Sequence, residues 1–158
     1  MKERYVHFGA RYFDPLRFVW VQNLPHRNKP EGGLWASSTR ANYGWYEWSR
    51  DNDDFGHCRF TNAFAFELKP EARILKLQTI EDVKTAAKIG HPTVSCGMIC
   101  LDFEAIAEQY DVIDFSVAQL YMVMYGWDCD SILVMNPDVI EDEIFNPITL
   151  KRAISSKQ

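Results

Sequence analysis

Three stretches of the sequence carry side chains that a plain core does not need: Tyr5-Val6-His7-Phe8-Gly9, the run from Lys29 to Arg40, and Trp127-Asp128-Cys129-Asp130-Ser131. On a strand, His7 and Gly9 share a face because side-chain direction repeats every two residues. An imidazole can then meet a ligand that the bare backbone of Gly9 lets approach closely. In the second stretch, Gly32 and Gly33 permit a sharp backbone path, and Lys29 and Arg40 suit phosphates. Ser37, Ser38 and Thr39 offer hydroxyls that orient their neighbours, and Trp35 offers a face on which a base can stack. The run Lys29-Pro30-Glu31-Gly32-Gly33 lacks the order of a Walker loop. In the third stretch, Asp128 and Asp130 stand at the mouth of an apolar strand. A carboxylate there is partly desolvated yet reachable, which suits stabilising a developing positive charge or accepting a proton. Each stretch also has a plainer reading: a core histidine, a hydroxyl-rich hairpin and an Asp-supported turn.

The elements that must position these groups belong to one domain, residues 1–158, since 158 residues are too few for two separate cores. Hydrophobic residues make up 47% and charged residues 25%, the balance of a globular chain and not of a disordered tail or a coiled coil. The net charge of -5 argues against non-specific duplex binding. The charge is uneven: residues 1–79 hold 12 basic and 9 acidic residues (+3), residues 80–158 hold 5 and 13 (-8). Four of the five tryptophans lie in the first half, so cations and aromatic rings are concentrated where an anionic, ring-bearing ligand needs them. The sequence has no stretch that reads as a membrane span or a secretory signal, which predicts a cytoplasmic protein without a membrane partner. Cys58, Cys96, Cys100 and Cys129 show no Cys-x-x-Cys spacing, and His57 beside Cys58 is a weak zinc signal, so no metal is expected.

Period-two patterning predicts strands at residues 4–9, 60–68 and 73–77; a second strand is expected at 34–37 after the Gly32-Gly33 turn, and residues 131–135 read as a compact apolar strand. Helices are expected at residues 42–51, which are rich in aromatics, and at 79–89, where Thr79 and Asp82 form a capping box. Two more are expected at 101–110 and 116–125. Strands and helices mix without regular alternation, so the class is α+β.

A first-strand histidine, a Trp-Ala-Ser-Ser-Thr strand followed by an aromatic helix, and a late acidic residue at a strand together resemble the ADP-ribosyltransferase family. The resemblance spans most of the chain. It implies a split β-sheet core with flanking short helices, and a cleft that holds NAD as substrate without a metal. It further implies that His7 contacts the ribose, that Gly9 lies near the carboxamide, and that Ser37, Ser38 and Thr39 form the hydroxyl strand. Tyr43 becomes the stacking ring and Asp130 the acid, with Asp128 as the alternative carboxylate. Lys29 or Arg40 is expected to hold the pyrophosphate, and Gly33, Trp35 and Ser38 to border the cofactor. Where the family reads His-Gly, this chain has His7-Phe8-Gly9; where it has Glu, this chain has Asp.

The implied activity is transfer of ADP-ribose from NAD to a macromolecular acceptor with release of nicotinamide, as in compact bacterial and phage-borne members. A protein acceptor is favoured over nucleic acid. Two alternatives remain open at this point. One is NAD glycohydrolysis, with water as acceptor; the other is a non-catalytic protein-binding domain in which His7 and Asp130 are core and turn residues. Asp138, Glu141, Asp142 and Glu143 are read as a solvated surface or an interaction face.

Overall fold

The computed structural model describes residues 2–52 and 58–141. His57, Asp142 and Glu143, singled out above, lie outside the described residues. The chain forms strands β1 (Arg4–Phe8), β2 (Leu34–Ser38), β3 (Ala63–Glu67), β4 (Ile74–Leu77), β5 (Thr93–Ser95), β6 (Met98–Cys100), β7 (Val112–Phe115) and β8 (Ser131–Val134). Its helices are α1 (Trp45–Asp51), α2 (Ile80–Ala86), α3 (Phe103–Gln109) and α4 (Val117–Leu120). Six strands make one sheet in the order β3-β1-β2-β8-β7-β4, and β5 and β6 form a separate hairpin. Every pair in the sheet is antiparallel except β4 with β7. The fold is therefore α+β, with a mostly antiparallel sheet and few, short helices.

Both faces of the sheet are covered, which explains why β8 (Ser-Ile-Leu-Val) is buried at all four positions. One face carries Leu77, Ile113, Phe115 and Leu133, packed against Val83 and Ala86 of α2, Phe103 and Ile106 of α3, and Trp127. The other carries Tyr5, Ala36, Phe64, Phe66, Val112, Ile132 and Val134, closed by Val139 and Ile140. Among the described residues no helix is long and apolar enough to cross a membrane.

Three expectations need correction. Residues 112–115 form an unexpected strand, with Asp114 in its middle. This carboxylate sits opposite Lys76 of β4, whose charge opposes the upward push that burial gives its pKa. The helix expected at 116–125 ends at Leu120, although its apolar spacing survives in fully buried Leu120 and Met124. Residues 60–62 are a short 3-10 turn ahead of β3, not part of the strand.

Between β1 and β2 the sheet opens. Only Tyr5↔Ser38 and Val6↔Ser37 are paired, while the 34–36 end of β2 pairs with β8 on its other side. The site lies at this divergence.

Candidate functional site

His7 bridges the gap between the diverging strands. Its Nδ1 lies 2.7 Å from the carbonyl oxygen of Trp35. A carbonyl oxygen only accepts, so Nδ1 carries the proton and the neutral ring presents Nε2 as an acceptor. The imidazole packs on Phe64, with centroids 5.1 Å apart, and burial lowers its pKa below the ordinary histidine value, against an opposing contribution from the Trp35 bond. It is held neutral and directional.

A cavity of about 550 Å³ opens beside His7, lined by Phe8, Lys29, Trp35, Trp45, Trp48, Cys58 and Asp128. Its walls are set by packing that starts far from it. Trp127, 2% exposed, places its ring 4.7 Å from that of Trp35 and donates its indole N–H to the Asn28 carbonyl at 2.6 Å. Buried Asn28 in turn accepts from the Leu101 N–H at 3.0 Å, which fixes the backbone next to Lys29. On the opposite wall, Ser37 Oγ accepts from the Trp45 N–H at 2.9 Å and so holds the first turn of α1. That turn comes close enough that a Cβ on Gly44 would lie 2.9 Å from the Ser37 Cβ. Trp45 and Trp48 meet edge to face at 5.6 Å. The buried Trp45 Nε1 has no hydrogen-bond partner among the described residues.

Charge enters this aromatic enclosure at two points. The Lys29 ammonium lies 4.8 Å from the Trp35 ring centroid and 5.2 Å from that of Trp45, both within cation–π range. Burial pulls its pKa down, and the negative charge of Asp128 works against that shift. Asp128 is half-buried at the same cavity. Cys58 contributes a thiol whose pKa is pushed up by burial.

A second cavity of about 660 Å³ shares His7 and Trp35 with the first and runs along Gly9, Arg11, Phe13, Arg17 and Phe18 to Gly33. Gly33 sits at φ +68° with its Cα against Leu133, where a Cβ would come within 2.4 Å of Leu133 Cδ1. Gly9 follows the histidine closely; a Cβ on it would lie 3.8 Å from His7 Nε2.

The expected residues therefore divide. His7, Lys29 and Trp35 converge at the first cavity, and Gly9 and Gly33 line the second. Asp130, Ser38 and Arg40 line a third, separate cavity of about 230 Å³ together with Glu3, Tyr5 and Asp114. The Asp130 carboxylate accepts from the Val117 N–H at 2.9 Å and the Ser116 hydroxyl at 3.3 Å, with the Tyr43 N–H at 3.4 Å. It ties the start of α4 to the 43 loop. Ser37 is 5% exposed and its hydroxyl is committed, donating to the Asp130 carbonyl at 2.8 Å while holding Trp45. Ser38 donates to Glu3 and Arg40 pairs with Glu3 at 3.2 Å, so neither faces His7. The Tyr43 phenol is directed to Asp51, and its pKa is raised by desolvation and then by that carboxylate. Of the four residues given the chemistry, only His7 borders the aromatic cavity.

Sequence reasoning missed Trp45, Trp48 and Cys58 as lining residues and named Asp128 only as an alternative. The signal for the two tryptophans was their spacing of three on α1, which puts both on one helix face. Among the described residues no group of three or more His, Cys, Asp or Glu side chains is arranged to hold a metal ion. The chain matches no family model, no curated protein and no solved structure.

Proposed function

We propose that the protein is an NAD-dependent mono-ADP-ribosyltransferase, built on an ADP-ribosyltransferase-like split sheet, with Asp128 in the role of the acid. The observation that carries this reading is the convergence of His7, Lys29, Trp35, Trp45 and Asp128 on one cavity that shares His7 and Trp35 with a second. Two cavities of about 550 and 660 Å³ that meet at His7 and Trp35 suit a ligand of two halves, each within the usual size of a small-molecule site. The aromatic cavity takes the nicotinamide ring, and the second, with Arg11 and Arg17 on its wall, takes the anionic ADP half.

The chemistry follows from the side chains. The nicotinamide of NAD is a cationic leaving group. When its bond to the ribose breaks, the bonding pair moves into the ring, neutral nicotinamide departs and positive charge develops on the ribose. His7 Nε2 accepts a hydrogen bond from a ribose hydroxyl and fixes the sugar. The Asp128 carboxylate stabilises the developing charge and then takes the proton of the acceptor nucleophile as it bonds to the anomeric carbon. Trp45 and Trp48 keep water from the reacting carbon. A macromolecular acceptor, as opposed to water, is supported by the exposed Tyr12, Leu16, Val19 and Trp20 in the segment bordering the second cavity.

The test is incubation of the purified protein and its Asp128→Ala variant with labelled NAD and a cell lysate. Label on a macromolecule from the native protein, absent with the variant, is the expected outcome. Absence of both label transfer and nicotinamide release from the native protein overturns the reading, and nicotinamide release without transfer makes the protein a glycohydrolase.

A further inference from the structure

The position of Lys29 sets a requirement on whatever enters the aromatic cavity. Its ammonium lies over two indole rings at once, 4.8 and 5.2 Å from their centroids. Among the described residues no carboxylate pairs with it within 4 Å, although Asp128 lines the same cavity. Two of the walls are braced by contacts outside the enclosure. Trp35 is wedged by buried Trp127, and Trp45 is held through its backbone by Ser37. Lys29 follows buried Asn28 in the chain, and its stem runs past Gly126, where a Cβ would lie 3.9 Å from Lys29 Cβ and Cδ. Its four-carbon side chain has rotatable bonds along its whole length.

We propose that Lys29 is a built-in occupant of a cation cage: its ammonium holds the place between Trp35 and Trp45 that a flat, positively charged ring takes, and it leaves when that ring enters. An ammonium is compact and strongly hydrated, so it loses much on leaving water for an apolar enclosure. A ring cation spreads its charge, loses less hydration and covers the indole faces more fully. The exchange favours the ring. The displaced ammonium regains water or meets an anionic part of the incoming ligand, so the cage discriminates by charge as well as shape. This inference takes from the proposed function the identity of the cavity as the nicotinamide end, but concerns binding alone.

The experiment is calorimetric titration of the full chain and its Lys29→Met variant with 1-methylnicotinamide, a permanent flat cation, and with nicotinamide, its neutral counterpart. Methionine retains most of the apolar stem. The expected result is that the cation binds Lys29→Met about tenfold more tightly than the native protein, while nicotinamide changes by less than about twofold. Equal or weaker cation binding by the variant overturns the proposal. So does an equal gain for nicotinamide, which reports vacated space alone. Lys29→Gln, measured in parallel, carries the same expectation should Lys29→Met not fold. A native protein that transfers no ADP-ribose yet follows this pattern overturns the transferase reading and supports the cage; an active transferase without the pattern overturns the cage alone.

Discussion

Asp128 and Asp130, two residues apart on the approach to β8, border different cavities. Asp128 shares its cavity with His7, while the Asp130 carboxylate caps the start of α4 through the Val117 N–H at 2.9 Å. Cys129 between them is fully buried, with its thiol pKa pushed up to about 12, mainly by desolvation.

This separation predicts opposite outcomes for two similar variants. Asp128→Asn is expected to lower ADP-ribose transfer by about 10²–10³ with little change in melting temperature, the scale of losing one group that stabilises a developing charge. Asp130→Asn is expected to lower the melting temperature, because it weakens the tie between the 43 loop and α4. Transfer rates and thermal denaturation of both variants check the pair.

NAD at about 100 times its dissociation constant is expected to stabilise the native fold by about 2.7 kcal/mol. The Trp45→Ala variant is expected to lose most of that ligand-dependent gain while remaining folded, since Trp45 is only half-buried. Denaturant unfolding with and without NAD measures it.

Trp127 gives a stability test that does not involve ligand. It packs on Trp35, Phe103 and Phe115 and fills the core beneath the site. Trp127→Ala is expected to cost about 3–5 kcal/mol, read by urea denaturation. Gly44→Ala, which drives a Cβ to 2.9 Å from Ser37, is expected to cost about 1–3 kcal/mol and to shift α1 away from the cavity.

His7 supplies a pH signature. Its folded-state pKa lies below the ordinary value of 6.5, so the unfolded chain binds more protons between the two values. Its contribution is present in full above about pH 6.5 and is lost as pH falls toward the folded pKa. Asp82, Asp102 and Asp111 have lowered pKa values and lose their contributions only below about pH 4, a separate window. His7→Gln is therefore expected to flatten stability as pH falls from about 6.5, without altering the steeper loss below about pH 4.

Much of this arrangement was legible in local patterns. β1 follows from alternation, β2 from the Gly32-Gly33 turn ahead of it, and α2 from the Thr79 and Asp82 capping box, with the Thr79 hydroxyl accepting from the Asp82 N–H at 3.2 Å. Residues 112–115 were not, because Asp114 breaks an apolar run that becomes a strand only between β4 and β8. The site was half legible. His7, Lys29 and Trp35 stood out by type, but nothing in Trp-Asp-Cys-Asp-Ser says which aspartate faces the histidine. That choice depends on Ser37, Tyr43 and Val117 gathering around Asp130, contacts spanning up to 93 positions in the sequence.

A crystal structure with an unreactive carbocyclic analogue of NAD decides where the ligand sits. The nicotinamide ring is expected between Trp35 and Trp45, with a hydroxyl of the carbocycle on His7 Nε2 and Asp128 facing the carbon that bears the ring. An analogue bound at the cavity of Asp130 and Arg40, or no binding at all, overturns the transferase reading.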